Sequence, residues 1–270
     1  MTPTTPARLA ALLVLALAGS AQAQISVRSA LSDDREVSAG TVYRGEVTVA
    51  NETATAQQAK VYLRDYSFQA DGTNVYGEPG TSARSNAAWV RFGPAVVTLA
   101  PGETRAVQYA VTVPADAPAG SSWSLLMVES VPPDAPESTL GDAPAAPRYG
   151  VRPVMRYGVQ LATHVRGDAP VEVTFSGAEL VRDEAGARGL RVDVANTGGR
   201  MVRPEVWAEL FDAAGTSHGR VEGARSRIYP GTSVRQRIRL GDLPPGTYRA
   251  LVVVDAGADD VYGAEYVLDL

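Results

Sequence analysis

The stretch LAPGETRAVQYAVTVP, Leu99 to Pro114, returns near the end of the chain as IYPGTSVRQRIRLGDLP, Ile228 to Pro244. Each copy places a Pro-Gly pair before an alternating run and closes on proline. In the first, Val107, Tyr109, Val111 and Val113 fall on one face, with Ala106, Gln108, Ala110 and Thr112 on the other. A period of two is that of a strand with one buried face. In the second, Val234, Gln236, Ile238 and Leu240 share a face, and Arg235, Arg237 and Arg239 share the opposite one. Another turn and another apolar run follow in both places, PAGSSWSLLMVES and PGTYRALVVVD. Two turns and two strands in the same order predict a duplicated unit.

The duplication extends upstream. GEVTVANET, Gly45 to Thr53, matches LRVDVANTG, Leu190 to Gly198, and in both an asparagine, Asn51 or Asn196, ends the strand. VYLRDYSFQADGT then matches VWAELFDAAGT, with Val61 and Leu63 answering Val206 and Ala208, and Tyr62 answering Trp207 on the outer face. With 26 glycines, 18 prolines and short alternating runs throughout, the expected class is all-β, two immunoglobulin-like sandwiches in tandem. The first is placed at 24–167 and the second at 168–270, joined near Arg166-Gly167-Asp168. The first copy alone carries VPPDAPESTLGDAPAAPR, Val131 to Arg148, whose five prolines and few apolar residues predict a mobile loop. At the same place the second copy has only AGADD, Ala256 to Asp260. The first copy then ends in GVRPVMRYGVQLATHV, a long last strand. Val151, Pro153, Met155, Tyr157, Val159, Leu161 and Val165 lie on one face of it, and Gly150, Arg152, Val154, Arg156, Gly158, Gln160 and Ala162 on the other. Pro153 makes the first half of that strand an edge or a bulge.

Residues 1–23 have the form of a secretory signal. One arginine precedes an apolar run from Leu9 to Ala18, and Ala21-Gln22-Ala23 forms a small-residue cleavage site. The expected location is therefore periplasmic or secreted, after cleavage near Ala23. The run is too short for a stable membrane anchor, and no later segment is long and apolar enough for one. The chain has no cysteine, which excludes disulfides, thiolate chemistry and thiolate metal sites. A net charge of −5 argues against nucleic acid as a partner. Lys60 is the only lysine.

Constellations for chemistry are poor. The two histidines, His164 and His218, fall in different halves without metal-ligand spacing, and no nucleophile elbow or phosphate loop occurs. The expectation is a non-enzymatic protein with no catalytic residue, resident metal or cofactor. Three surface features stay open between two readings each. Asp255, Asp259 and Asp260 form either a calcium loop or a hairpin turn. Arg235, Arg237 and Arg239 meet an acidic partner or are a solvated strand face. Tyr62 and Trp207 are glycan platforms or same-face packing.

The signal, the two sandwiches, the proline-rich loop and the long strand after it resemble periplasmic pilus-assembly chaperones. TLAPGETRAVQYAV resembles their Pro-Gly-initiated strand, and SSWSLLMVESVPP the next strand with its terminal proline pair. RYGVQLATHVRGDAPVEVTFSGAEL, Arg156 to Leu180, also resembles the domain junction of WxL-interacting cell-surface proteins, though this chain lacks their C-terminal membrane helix. The first resemblance implies a chaperone that lends an edge strand to an incomplete partner subunit, with Met155, Tyr157, Val159 and Leu161 as the lent face. It also implies two basic residues that grip the partner's terminal carboxylate. Here these are Arg28, in ISVRS, and Arg156, with Arg152 as a rival. The second resemblance implies an envelope-binding or adhesive module with a surface protein or cell-wall glycan as partner.

Overall fold

A computed structural model of the chain describes residues 25–133, 135–140 and 154–270. The signal segment, the later part of the proline-rich loop, Arg152 and Pro153 lie outside the described residues. Ten strands come first: β1 (Ile25–Val27), β2 (Ser32–Val37), β3 (Val42–Asn51), β4 (Gln57–Phe68), β5 (Asn74–Gly77), β6 (Val90–Gly93), β7 (Val96–Leu99), β8 (Thr104–Thr112), β9 (Gly120–Val131) and β10 (Arg156–Val165). Seven follow: β11 (Val173–Arg182), β12 (Arg188–Asn196), β13 (Glu205–Phe211), β14 (Ser217–Glu222), β15 (Ser233–Arg239), β16 (Thr247–Asp255) and β17 (Val261–Asp269).

The first ten strands form a four-stranded sheet, β1-β3-β8-β6, facing a six-stranded one, β2-β10-β9-β4-β5 with β7 also on β4. The last seven form a three-stranded sheet, β11-β12-β15, facing β14-β13-β16-β17. The protein is all-β, two sandwiches in tandem. The alternation read from sequence sets each core. Val47, Val107, Tyr109 and Val111 on one sheet meet Val61, Leu126, Val128, Val159 and Leu161 on the other. In the second sandwich Leu190, Val192, Val194 and Ile238 meet Val206, Leu210, Val252 and Val254. Gln236 sits among the inward residues of β15 and is fully buried, because its amide is satisfied by both backbone groups of Ala224.

The repeated motif is one device used twice. At Pro101-Gly102 the Glu103 N–H donates to Ala100 O at 3.0 Å, and at Pro230-Gly231 the Thr232 N–H donates to Tyr229 O at 3.0 Å. Gly102 and Gly231 take φ of 70° and 76°, the third position of a type II turn, which a side chain disfavours. Each turn is braced by the asparagine that ends the neighbouring strand. Asn51 Nδ2 donates to Thr55 O, Leu99 O and Ala100 O, and Asn196 Nδ2 donates to Arg200 O and Ile228 O.

The start of the proline-rich loop is anchored rather than free. Thr139 N–H donates to Gln58 Oε1 at 2.9 Å, and Gln58 Nε2 donates to Thr139 Oγ1 at 2.6 Å. Buried Gln58 holds this segment against β4, a tie invisible to a reading based on apolar content. AGADD is the hairpin between β16 and β17. The Asp255 carboxylate there accepts the Gly257 N–H, and Ala256 and Asp260 close the turn.

The two sandwiches meet in a joint of their own. Tyr229, from the second Pro-Gly turn, stacks on Trp123 at 4.6 Å between ring centroids, with Phe68, Ala162 and Met201 around them. Ser121 N–H donates to Gly199 O at 2.9 Å, and Met201 N–H donates to Ser121 Oγ at 2.8 Å. A Cβ on Gly120 would fall 2.0 Å from Gly199 O, so only glycine permits this approach. Arg227 pairs with Asp34 at 3.0 Å, and the Ser233 hydroxyl accepts from Ala70 N–H and donates to Gln69.

Candidate partner-binding face

The outer face of the six-stranded sheet is a groove of about 1300 Å³, built from cross-strand rows on β4, β9 and β10. The rows follow from register: Lys60–Glu129–Arg156, then Tyr62–Met127–Gly158, then Arg64–Leu125–Gln160. β9 is buried at every position because it is central, with one face on the core and the other under its neighbours' long side chains. That is how Glu129 comes to be an almost inaccessible carboxylate.

Glu129 is satisfied three ways. Tyr62 O–H donates to it at 2.6 Å, Lys60 Nζ lies at 3.0 Å and Arg156 Nε at 2.7 Å. Burial by itself raises the Glu129 pKa, but the hydrogen bonds from Tyr62 and Lys60 outweigh it and hold the carboxyl below its ordinary value. The Lys60 pKa is raised in turn, chiefly by its bond to Glu129, and that of Tyr62 is raised by burial. Lys60 also reaches Glu137 of the anchored loop at 3.3 Å.

β10 lies antiparallel to β9 and parallel to β2, but the β2 pairing begins only at Gln160–Ser32. Gln160 N–H donates toward Leu31 O on that side, whereas Met155 O accepts Ser130 N–H on the β9 side. Strand alternation therefore turns the backbone groups of Arg156 and Gly158 to the edge away from β9. No strand pairs with that edge at Arg156–Val159 among the described residues. Gln160 Nε2 is shielded from solvent without an acceptor, and Leu31, Val154 and Met155 stand exposed beside the edge.

The residues expected to bind a partner are only partly brought together. Val159 and Leu161, at 2% and 1% exposure, belong to the first sandwich's own core, and Tyr157 packs against it. β10 closes its own sandwich, and the inward side chains expected as a lent face pack in that core. Met155 alone of the four stands free, just before the strand. Arg28 and Arg156 do not converge. Ile25 and Val27 point into the core, which sends Arg28 to the outer face of the four-stranded sheet, where it makes a two-pronged bond to Glu52. Arg156 lies on the outer face of the other sheet, on Glu129. The carboxylate grip implied by the chaperone resemblance is therefore not assembled from these two arginines.

The remaining candidates are accounted for by packing. Tyr62 is spent on Glu129, and Trp207 lies under the Arg220 guanidinium at 3.7 Å, so neither presents a bare ring. His218 contacts Asp212 at 3.2 Å. His164 lies in the joint, its Nδ1 2.8 Å from Ser121 Oγ and its Nε2 3.6 Å from Asp34. Ser121 Oγ already accepts the Met201 N–H and is buried, and His164 Nε2 is shielded without a hydrogen-bond partner, so Ser121 and His164 brace the joint and this group offers no accessible nucleophile. No group of three or more His, Cys, Asp or Glu is placed to hold a metal among the described residues. Sequence reading missed Lys60, Glu129 and Gln160, since their meeting depends on register.

No family model matches the chain, and no curated protein matches it. Solved structures of similar fold do. A chain from the chaperone–tip adhesin complex of CFA/I fimbriae is 12% identical, with 91% of this chain and 98% of that one covered and a TM-score of 0.48. The class 5 fimbrial chaperone CfaA is 12% identical, with 90% and 98% covered and a TM-score of 0.46. The E. coli chaperone DraB is 14% identical, with 91% and 98% covered and a TM-score of 0.39.

Proposed function

We propose that this chain is a non-enzymatic, extracytoplasmic chaperone-like protein that holds a partner polypeptide by strand addition along β10, in the assembly of pili or another surface structure. The observation that carries this reading is the backbone edge at Arg156–Val159, which no strand pairs with among the described residues. Two residues there, Arg156 and Gly158, offer an N–H and a C=O each. Four main-chain bonds at roughly 0.5–1.5 kcal/mol net apiece are worth about 2–6 kcal/mol, a base on which side-chain contacts build affinity. The Gln160 amide is a further donor without an acceptor. Exposed Leu31 and Met155 supply the apolar contacts that a strand from an incomplete sandwich seeks. The contribution of β10 is thus its edge rather than its inward face.

The test is capture of surface subunits co-expressed from neighbouring genes. Arg156→Pro removes an outward N–H without touching the ladder to β9, and proline is tolerated on edge strands. Arg156→Ala keeps that N–H and loses only the side chain. Arg156→Pro is expected to weaken capture at least about tenfold, the worth of one to two hydrogen bonds. Arg156→Ala and Arg28→Ala should both retain it. Capture by Arg156→Pro equal to that of the unaltered protein would refute strand addition. Loss in Arg28→Ala alone would restore a carboxylate grip on the other sheet.

A further inference from the structure

The outer face of the three-stranded sheet is also ordered in rows. In the first, Asp193 faces Arg235 and holds it in a two-pronged bond at 2.7 and 2.8 Å. The second runs Glu179, Arg191, Arg237, and the third Val181, Gly189, Arg239. Arg191 and Arg237 are therefore like charges directly opposite one another, an arrangement that costs a sheet stability. Glu179 meets Arg191 from the far side, yet Arg191 Nε remains shielded from solvent with no acceptor. On either side of Arg237, Arg235 is taken by Asp193 and Arg239 by Asp183 at 3.2 Å, while Arg237 itself is exposed and has no such partner among the described residues.

Gly189 has no side chain to fill its place in the third row. The result is a hollow of about 420 Å³ lined by Arg182, Arg188, Arg191, Arg237 and Arg239, against one carboxylate, Asp183. With Glu179 on Arg191 counted as well, five cations stand against two anions, a local reversal of sign in a chain of net charge −5. Guanidinium forks match the oxygens of carboxylate and phosphate. A carboxylate brings two oxygens and one charge, too few for the three arginines, Arg191, Arg237 and Arg239, that line the hollow from two neighbouring strands. A terminal phosphate brings three oxygens and a charge between −1.5 and −2. We infer that this hollow binds a ligand carrying a phosphomonoester or pyrophosphate group, held by Arg191, Arg237 and Arg239. The group belongs either to a soluble molecule or to a membrane headgroup.

Calorimetric titration of the full mature chain with inorganic pyrophosphate tests this. The expected result is saturable binding that weakens as salt rises, with malonate at least about tenfold weaker. Arg237→Gln and Arg239→Gln should each lower the affinity at least about tenfold, and Arg235→Gln, which lies outside the hollow, should leave it within about twofold. Sedimentation with phosphatidic acid vesicles then separates the sources. Arg237-dependent co-sedimentation assigns the group to a membrane headgroup, and pyrophosphate binding without co-sedimentation assigns it to a soluble ligand. Absence of saturable pyrophosphate binding overturns the inference, whatever the vesicles do. An equal loss in Arg235→Gln, or malonate binding as tight as pyrophosphate, overturns it too.

Discussion

Tyr229→Ala should uncouple the two sandwiches without unfolding either. Tyr229 is 1% exposed, and of the four apolar residues that share its cluster Trp123, Ala162 and Phe68 come from the first sandwich and only Met201 from its own. A buried tyrosine hides roughly 150–250 Å². At about 25 cal/mol per Å² that is about 4–6 kcal/mol as an upper bound, and aromatic truncations in cores cost about 3–5 kcal/mol. Most of this loss falls on the joint, because most of the contact does. The hydrogen bonds left across it, such as Ser121 to Gly199 and Ala70 to Ser233, are worth about 1 kcal/mol each. Tyr229→Phe keeps the stack and loses only the hydroxyl contact to Asp34 at 3.2 Å, so it should cost about 1 kcal/mol. Scanning calorimetry reads the outcome. The unaltered protein and Tyr229→Phe melt with the sandwiches coupled, whereas Tyr229→Ala gives two resolved transitions and a larger radius of gyration in small-angle scattering. A single transition with unchanged radius in Tyr229→Ala would show that the hydrogen bonds alone hold the joint, and that the stacked pair does not.

Two further outcomes are expected. Asn51→Ala removes three hydrogen bonds, to Thr55 O, Leu99 O and Ala100 O, and Asn196→Ala removes two, to Arg200 O and Ile228 O; at roughly 0.5–1.5 kcal/mol each the first sandwich should lose about 1.5–4.5 kcal/mol and the second about 1–3 kcal/mol; chemical denaturation of each variant checks this, and a loss under 1 kcal/mol at both sites would mean that the turns hold without the brace. The second concerns pH. Burial in the joint pushes the His164 pKa down, against the opposing pull of Asp34 and Glu36 and alongside Arg227. The unfolded imidazole titrates near 6.5, so the unfolded state binds more protons just below that value. Stability is therefore full above about pH 6.5 and falls as pH drops toward the lower folded pKa. His164→Gln should flatten that slope below about pH 6.5 in a melting-temperature series, and an unchanged slope would place the proton elsewhere.

The fold was readable because it is written in local signals. Alternation along Ala106–Val113 and Ser233–Leu240, with Pro-Gly before each, needs no distant partner to be seen, and both sandwiches follow from it. The partner site was less readable. Val159 and Leu161 alternate in the same way whether their face meets a partner's groove or the chain's own core, and only the opposing sheet decides. β2, SDDREV, has no apolar alternation, so nothing in it announced a parallel ladder on β10 that stops short at Gln160. Arg28 and Arg156 were paired by resemblance, and the outward turn of β1 next to Val27 separates them. The Lys60–Glu129–Arg156 row required the register of three strands at once.

The position of Lys60 has a practical side. It is the only lysine in the chain and it stands at the rim of the groove, between Glu129 and Glu137. Amine-directed reagents, which scatter labels over most proteins, have a single side chain to find here besides the α-amine, which titrates at about 7.7–8.0 and is blocked first. The raised pKa of Lys60 keeps its amine protonated, so acylation is slow near neutrality and quickens in alkali or when the Glu129 bond is broken. A fluorophore or cross-linker attached there sits beside the open edge of β10. The chain thus carries a built-in attachment point for watching that face, without an engineered cysteine.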